Sequence, residues 1–206
     1  DPAAWTGIGD RALAGMSHGA AGSVLALLKL YQACGDEAFL PLAQRGLAFE
    51  RSLFDPVEKG WPDLRGEKPV RDPVQWCHGA AGIGFARMAA LDVLDDPAIR
   101  DEIETAIAAV LATQDGGRDN LCCGHAGRFS MLRYALELGC GPDDLEHRFN
   151  HRLSAWINRL DNPNTIGLMA RDKVFQTGLM QGLPGIGQAL LEIAAPEKIR
   201  PVLTLE

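Results

Sequence analysis

Cys122 and Cys123 stand side by side in the run Asn-Leu-Cys-Cys-Gly-His-Ala-Gly-Arg, and Cys77 opens a second run of the same shape, Cys-His-Gly-Ala-Ala-Gly-Ile-Gly. Adjacent cysteines do not readily close a disulfide with each other, whereas two neighbouring thiolates can reach one metal ion. Three sulfur donors on two glycine-rich turns match zinc, which takes thiolates at about 2.3 Å in tetrahedral geometry and would here keep a fourth position open. The competing reading is three small buried hydrophobes at helix starts, as free cysteines often are. Three of the five cysteines at equivalent places of a repeat favour the metal.

His18 and His78 each directly precede a motif glycine, so both are expected at the same end of the structure as catalytic candidates, with His18 able to carry a proton. His125 falls later in its motif, where a side chain turns away. His147 and His151 have the i, i+4 spacing of a metal pair, but Arg148 and Arg152 flank them and the reading is a solvated helix face. Arg71 and Asp72 lie in the loop entering Cys77. By default they are a surface salt bridge; in the sharper reading Arg71 orients or stabilises a substrate. Cys34 and Cys140, beside Gly35 and Gly141, read as structural, and the pair Asp119-Asn120 reads as turn chemistry.

What positions these residues is an internal repeat. Ser17-His18-Gly19-Ala20-Ala21-Gly22, Cys77-His78-Gly79-Ala80-Ala81-Gly82, Cys122-Cys123-Gly124-His125-Ala126-Gly127 and Met180-Gln181-Gly182-Leu183-Pro184-Gly185 each precede an apolar run. Glycines 19, 79, 124 and 182 are spaced by 60, 45 and 58 residues, which suits one helical hairpin per unit with loop insertions in two of them. Each turn opens a helix with apolar residues at helical spacing, as in Val24, Leu27, Leu28 and Tyr31. Second helices are expected over Ala38 to Phe54, Ile99 to Ala112 and Leu145 to Leu160, after turn signals such as Asp95-Asp96-Pro97. Alternating β-branched residues are almost absent. The class is all-α. Loops at 55–75, 114–120 and 162–177 all lead into a glycine motif, which puts loops and turns at one end of the helices. The stretch from Ile199 reads as a tail too short for another repeat.

Bulk composition limits the partners. A chain of 206 residues can bury a real core, and 47% apolar with 23% charged residues is ordinary for a globular domain. A net charge of −7 argues against nucleic acid, whose phosphates need a basic face. No apolar run approaches a membrane span. An odd cysteine count suggests a reducing, cytoplasmic setting with metal-bound or catalytic thiols.

Together, Ser17-His18-Gly19, Trp76-Cys77-His78-Gly79, Cys122-Cys123-Gly124 and the closing run from Gly178 to Gly187 resemble the lanthionine synthetase C-like family, the cyclases of lanthipeptide biosynthesis. The resemblance runs from about residue 15 to the end. It implies an α/α toroid of seven hairpins, of which about four are present, with zinc (Zn2+) at one end of the central cavity. It also implies Cys77, Cys122 and Cys123 as zinc ligands and His18 as the active-site histidine. The family pattern usually ends in Cys-His-Gly; Cys123 stands where that histidine is usual, as in the cyclase domain of the substrate-tolerant class II synthetases. The family's arginine upstream of the first zinc cysteine is matched only loosely by Arg71, at a different spacing. The implied reaction adds a peptide cysteine thiol to dehydroalanine or dehydrobutyrine and closes a thioether ring. Three thiolates against one divalent cation leave the site net negative, which favours attack by a departing substrate thiolate.

Because a toroid closes last hairpin on first, four hairpins imply that residues 1–206 are the C-terminal part of a larger cyclase domain. The start at Asp-Pro-Ala-Ala-Trp, without Met, agrees with a cut end. The expected partners are a dehydrated precursor peptide and either the missing N-terminal part or another copy. Two other classes compete: a zinc-containing peptide-binding fragment without turnover, and a toroid glycosidase, which would need paired acidic residues where cysteine and histidine stand.

Overall fold

The computed structural model describes residues 4–6, 10–70, 73–114, 117–168 and 176–204. It is all-α, with seven α-helices and no β-strand among the described residues, only isolated bridges. In chain order these are α1 (Ala20–Cys34), α2 (Phe39–Ser52), α3 (Ala80–Ala90), α4 (Pro97–Ala112), α5 (His125–Glu137), α6 (Leu145–Leu160) and α7 (Leu183–Ala194). The expected second helices are all present, two with ends moved by one or two residues. No described helix is long and apolar enough to cross a membrane. The chain divides into two compact units, Asp1–Val110 and Leu111–Glu206.

In the first unit α1 packs on both α2 and α3. Val24 and Leu28 are buried on the expected face of α1, but Leu25 joins them while Leu27 and Tyr31 are only half-buried. A Cβ on Gly46 of α2 would stand 2.7 Å from Val24 Cγ2, so the missing side chain is what lets the hairpin close. Every residue of α3 is buried, Arg87 included. That guanidinium reaches Glu50 Oε2 at 2.9 Å and Glu102 Oε2 at 2.5 Å, tying α3 to α2 and α4. Helix α4 turns Ile99, Ile103, Ile107 and Val110 inward at the helical period. Its charged partner Glu102 also takes Arg51 Nε at 2.5 Å.

In the second unit α5 packs on both α6 and α7. Leu145, Phe149 and Trp156 are the buried stripe of α6, and the Phe129 ring stacks on Trp156 with centroids 5.0 Å apart. The segment read as a tail is docked: Leu203 and Thr204 are buried, and Val202 N–H donates to Glu192 at 3.0 Å. Glu192 is itself buried and accepts from Ser130 Oγ at 2.5 Å.

Candidate metal centre

All four glycine motifs fold into the same turn. In each, the first residue of the helix donates its N–H to the carbonyl seven residues earlier: Ala20 to Leu13 at 2.8 Å, Ala80 to Pro73 at 2.9 Å, His125 to Arg118 at 2.9 Å and Leu183 to Gln176 at 3.2 Å. No side chain caps α1, α3, α5 or α7; the folded-back backbone does so instead. The fold-back leaves no room for a side chain. A Cβ on Gly79 would meet Pro73 O at 2.1 Å, and one on Gly82 would meet Trp76 O at 1.9 Å. Gly79 adds a φ of +139°, which only glycine adopts readily.

Within each unit the two turns are laced together at one equivalent position. Ser17 N–H donates to Cys77 O at 3.0 Å, and Cys122 N–H donates to Met180 O at 2.9 Å. The residues that could do chemistry occupy the two positions before the helix-opening glycine. These are Ser17-His18 and Cys77-His78 in the first unit, and Cys122-Cys123 and Met180-Gln181 in the second.

In the first unit Cys77 is buried and in no disulfide. The His18 ring, exposed, stacks on the His78 ring with centroids 5.3 Å apart and planes 26° apart. His78 is buried, and neither ring nitrogen has a well-aligned hydrogen-bond partner. Burial, helped by the charges of Arg65 and His18, holds its pKa below the ordinary imidazole value against the opposing pull of Asp63 and the Ala14 backbone. His78 is therefore a neutral imidazole near pH 7. Asp63 is in turn clamped by Arg65, with Arg65 Nη2 at 2.7 Å from Oδ2; burial would raise its pKa, but the guanidinium hydrogen bonds outweigh this and lower it. Arg71 lies outside the described residues.

In the second unit Cys122 and Cys123 are half-buried and in no disulfide, with Sγ atoms 3.3 Å apart. Two sulfurs on a tetrahedral zinc with Zn–S near 2.3 Å sit roughly 3.8 Å apart. The pair thus needs only a slight opening to share one ion, and its chemistry fits zinc. By donor type, Cys77, Cys122 and Cys123 are a set that could hold a metal ion.

Asp119, read from sequence as turn chemistry, is a hydrogen-bonding hub three residues before Cys122. It is fully buried and accepts from Trp156 Nε1 at 2.8 Å, from Gly167 N–H at 2.6 Å and from both terminal nitrogens of Arg159. His125 Nδ1 lies 3.2 Å from Asp119 Oδ1 and 2.9 Å from Arg118 O, so its ring turns into the core, as its place in the motif suggested. Burial alone would raise the Asp119 pKa, but the bonds from His125, Arg159, Gly167 and Trp156 outweigh it and bring it to about 2. The motif signal for Asp119 is only its place five residues before Gly124; its partners stand about 40 residues downstream. His147 and His151 are exposed on α6, as expected of a solvated face. Cys34 ends α1 exposed, its Sγ 3.0 Å from Leu30 O.

The model of the lanthionine synthetase C-like protein family matches residues 4–205. The chain belongs to the lanthionine synthetase C-like family. Among solved structures it is similar to nisin cyclase, with a TM-score of 0.69 at 18% identity over 90% of this chain and 47% of that one. A polysaccharide lyase is also similar, with a TM-score of 0.54 at 15% identity over 87% of this chain and 59% of that one. At such identities the likeness speaks for fold, the α/α toroid, and not for substrate. This family member spans about half the length of nisin cyclase. No curated protein matches it in sequence.

Proposed function

We propose that this chain is the C-terminal part of a lanthipeptide cyclase domain, residues 1–206, of the Cys-Cys-Gly type found in class II synthetases. In this reading Cys77, Cys122 and Cys123 hold one zinc ion, and a dehydrated precursor peptide is the substrate. The observation that carries it is the pair of cysteine sulfurs 3.3 Å apart on a glycine turn, in a chain that the lanthionine synthetase C-like family matches over residues 4–205. The polysaccharide lyase likeness does not carry a glycosidase reading. The acidic residue at the thiol turn, Asp119, is buried and fully engaged in hydrogen bonds.

Bound zinc would supply a substrate thiolate at neutral pH by lowering the thiol pKa. The chain's own residues then manage the proton. His18, exposed and stacked on a buried neutral ring, takes the proton from the peptide thiol. The sulfur–carbon bond forms at the β-carbon of the dehydro residue while the carbon–carbon π pair moves to the α-carbon and its carbonyl. His18 then returns the proton to that α-carbon, and protons and electrons balance. His78 acts as the wall against which His18 is oriented, and Arg71 remains a candidate for steadying the enolate oxygen.

The test supplies the protein with a dehydrated, cysteine-containing precursor peptide, caps the remaining thiols and counts them by mass spectrometry. Ring closure leaves fewer cappable thiols at unchanged peptide mass. His18→Asn should slow it by about 10²- to 10⁴-fold, the usual worth of a general acid–base, without changing metal content. The 47% span of nisin cyclase favours one second reading, a zinc-containing fragment that binds the peptide but does not close rings. Peptide binding with every thiol still cappable would select it. In either reading the remaining hairpins would come from the N-terminal part of the same synthetase or from another copy.

A further inference from the structure

Asn120 is fully buried immediately before the Leu121-Cys122-Cys123 turn. Its side-chain orientation is fixed by a backbone donor. Cys123 N–H lies 2.8 Å from one amide atom, which must therefore be the oxygen, Oδ1. The other amide atom, Nδ2, is buried and has no hydrogen-bond partner. A buried donor left without an acceptor costs about 1–3 kcal/mol, and native proteins keep few of them. Neighbouring backbone groups of the turn do have partners. Gly124 N–H donates to Asn120 O at 2.9 Å, Ala126 N–H to Asp119 O at 3.1 Å and Asp119 N–H to Gly167 O at 2.7 Å.

An acceptor at this turn would arise when Cys122 and Cys123 become thiolates. A neutral thiol is a weak acceptor; a metal-held thiolate is a strong, charged one. A site with three thiolates is also net negative, so a hydrogen-bond donor to one of its sulfurs offsets excess charge. Such outer contacts orient ligands and tune metal sites.

We propose that Asn120 is a positioning residue for the Cys122–Cys123 pair. Its Oδ1 fixes the Cys123 backbone, and its Nδ2 donates a hydrogen bond to a metal-held sulfur of the pair. This inference rests on the metal reading given above. Sequence alone placed Asn120 with turn chemistry, which accounts for Oδ1 but leaves Nδ2 unexplained.

The test uses nitrogen-labelled protein titrated with a spin-active isotope of cadmium, a thiolate-seeking stand-in for zinc. One Asn120 side-chain amide proton should move downfield as the metal binds and should show scalar coupling to the cadmium through the N–H···S bond. Asn120→Asp keeps the acceptor for Cys123 N–H and removes the donor. It should lose that signal and bind cadmium roughly 10- to 100-fold more weakly in competition with a chelator. Stoichiometric cadmium binding with the Asn120 amide signals unmoved overturns the proposal, and so does an Asn120→Asp variant that binds as tightly as the parent. Should the variant fail to fold, the parent spectrum still decides. A parent protein that takes up no cadmium overturns the metal reading instead, and the two failures are thereby distinguished.

Discussion

At the scale of single residues, the buried carboxylate of Asp119 gathers Trp156, Arg159 and Gly167 onto one group. Cysteine and histidine beside a motif glycine can be read from the chain because type and place coincide, as at Cys77-His78 and Cys122-Cys123. Asp119 cannot be read that way, because its meaning lies in Trp156, Arg159 and Gly167, brought to it only by folding. Its folded pKa, lowered from 3.8 to about 2, makes a definite prediction. The native state holds the ionised form more strongly than the unfolded chain does. The resulting stabilisation is fully present above about pH 4 and is lost as pH falls through the folded value near 2. It amounts to about 2 kcal/mol. Asp119→Asn should lose this contribution at neutral pH, and its denaturant midpoint should vary less than the parent's between about pH 4 and 2. Parallel denaturant melts across that range measure it. Equal slopes with pH would show that another group carries the acid sensitivity.

The helices themselves were read nearly to the residue, since apolar period and turn signals agree in α4 and α6. The reason for the repeat glycines was hidden. Sequence suggested tight packing; the fold shows a specific backbone collision, with a carbonyl six or seven residues earlier folded over each helix start. Two alanine substitutions separate this from conformational freedom alone. At Gly82 a Cβ would stand 1.9 Å from Trp76 O, which is backbone and cannot swing aside. Gly82→Ala should therefore cost on the order of 3 kcal/mol or more, in the range of overpacked or strained sites. At Gly35, in the left-handed cap of α1 with φ +70°, nothing lies within 4 Å of the added carbon. Gly35→Ala should cost only about 1–2 kcal/mol, the left-handed penalty. Thermal or denaturant melts of the two variants give the ordering, and equal costs would refute the collision argument. The buried Arg87 was likewise invisible in the sequence, where it reads as one charge in an apolar run; its partners Glu50 and Glu102 come from two other helices.

On the scale of the molecule, the all-α class and the four equivalent turns follow from composition and from glycine spacing. The division into two units does not. It falls inside the continuous helix α4, between Val110 and Leu111, where no linker composition marks it. Each unit carries two glycine turns joined by the same backbone bond, Ser17 to Cys77 and Cys122 to Met180. The two units thus build their chemistry-bearing ends by one local rule. In this member of the lanthionine synthetase C-like family that rule presents cysteines at three of the eight positions preceding the glycines. The central claim is that those three cysteines serve one zinc ion. Its most direct test is elemental analysis of the purified protein beside Cys77→Ala, Cys122→Ala and Cys123→Ala. The account predicts one zinc per chain in the parent and a loss of tightly held zinc in each variant. A parent with well under one zinc per chain, or variants that all retain it, would contradict the account.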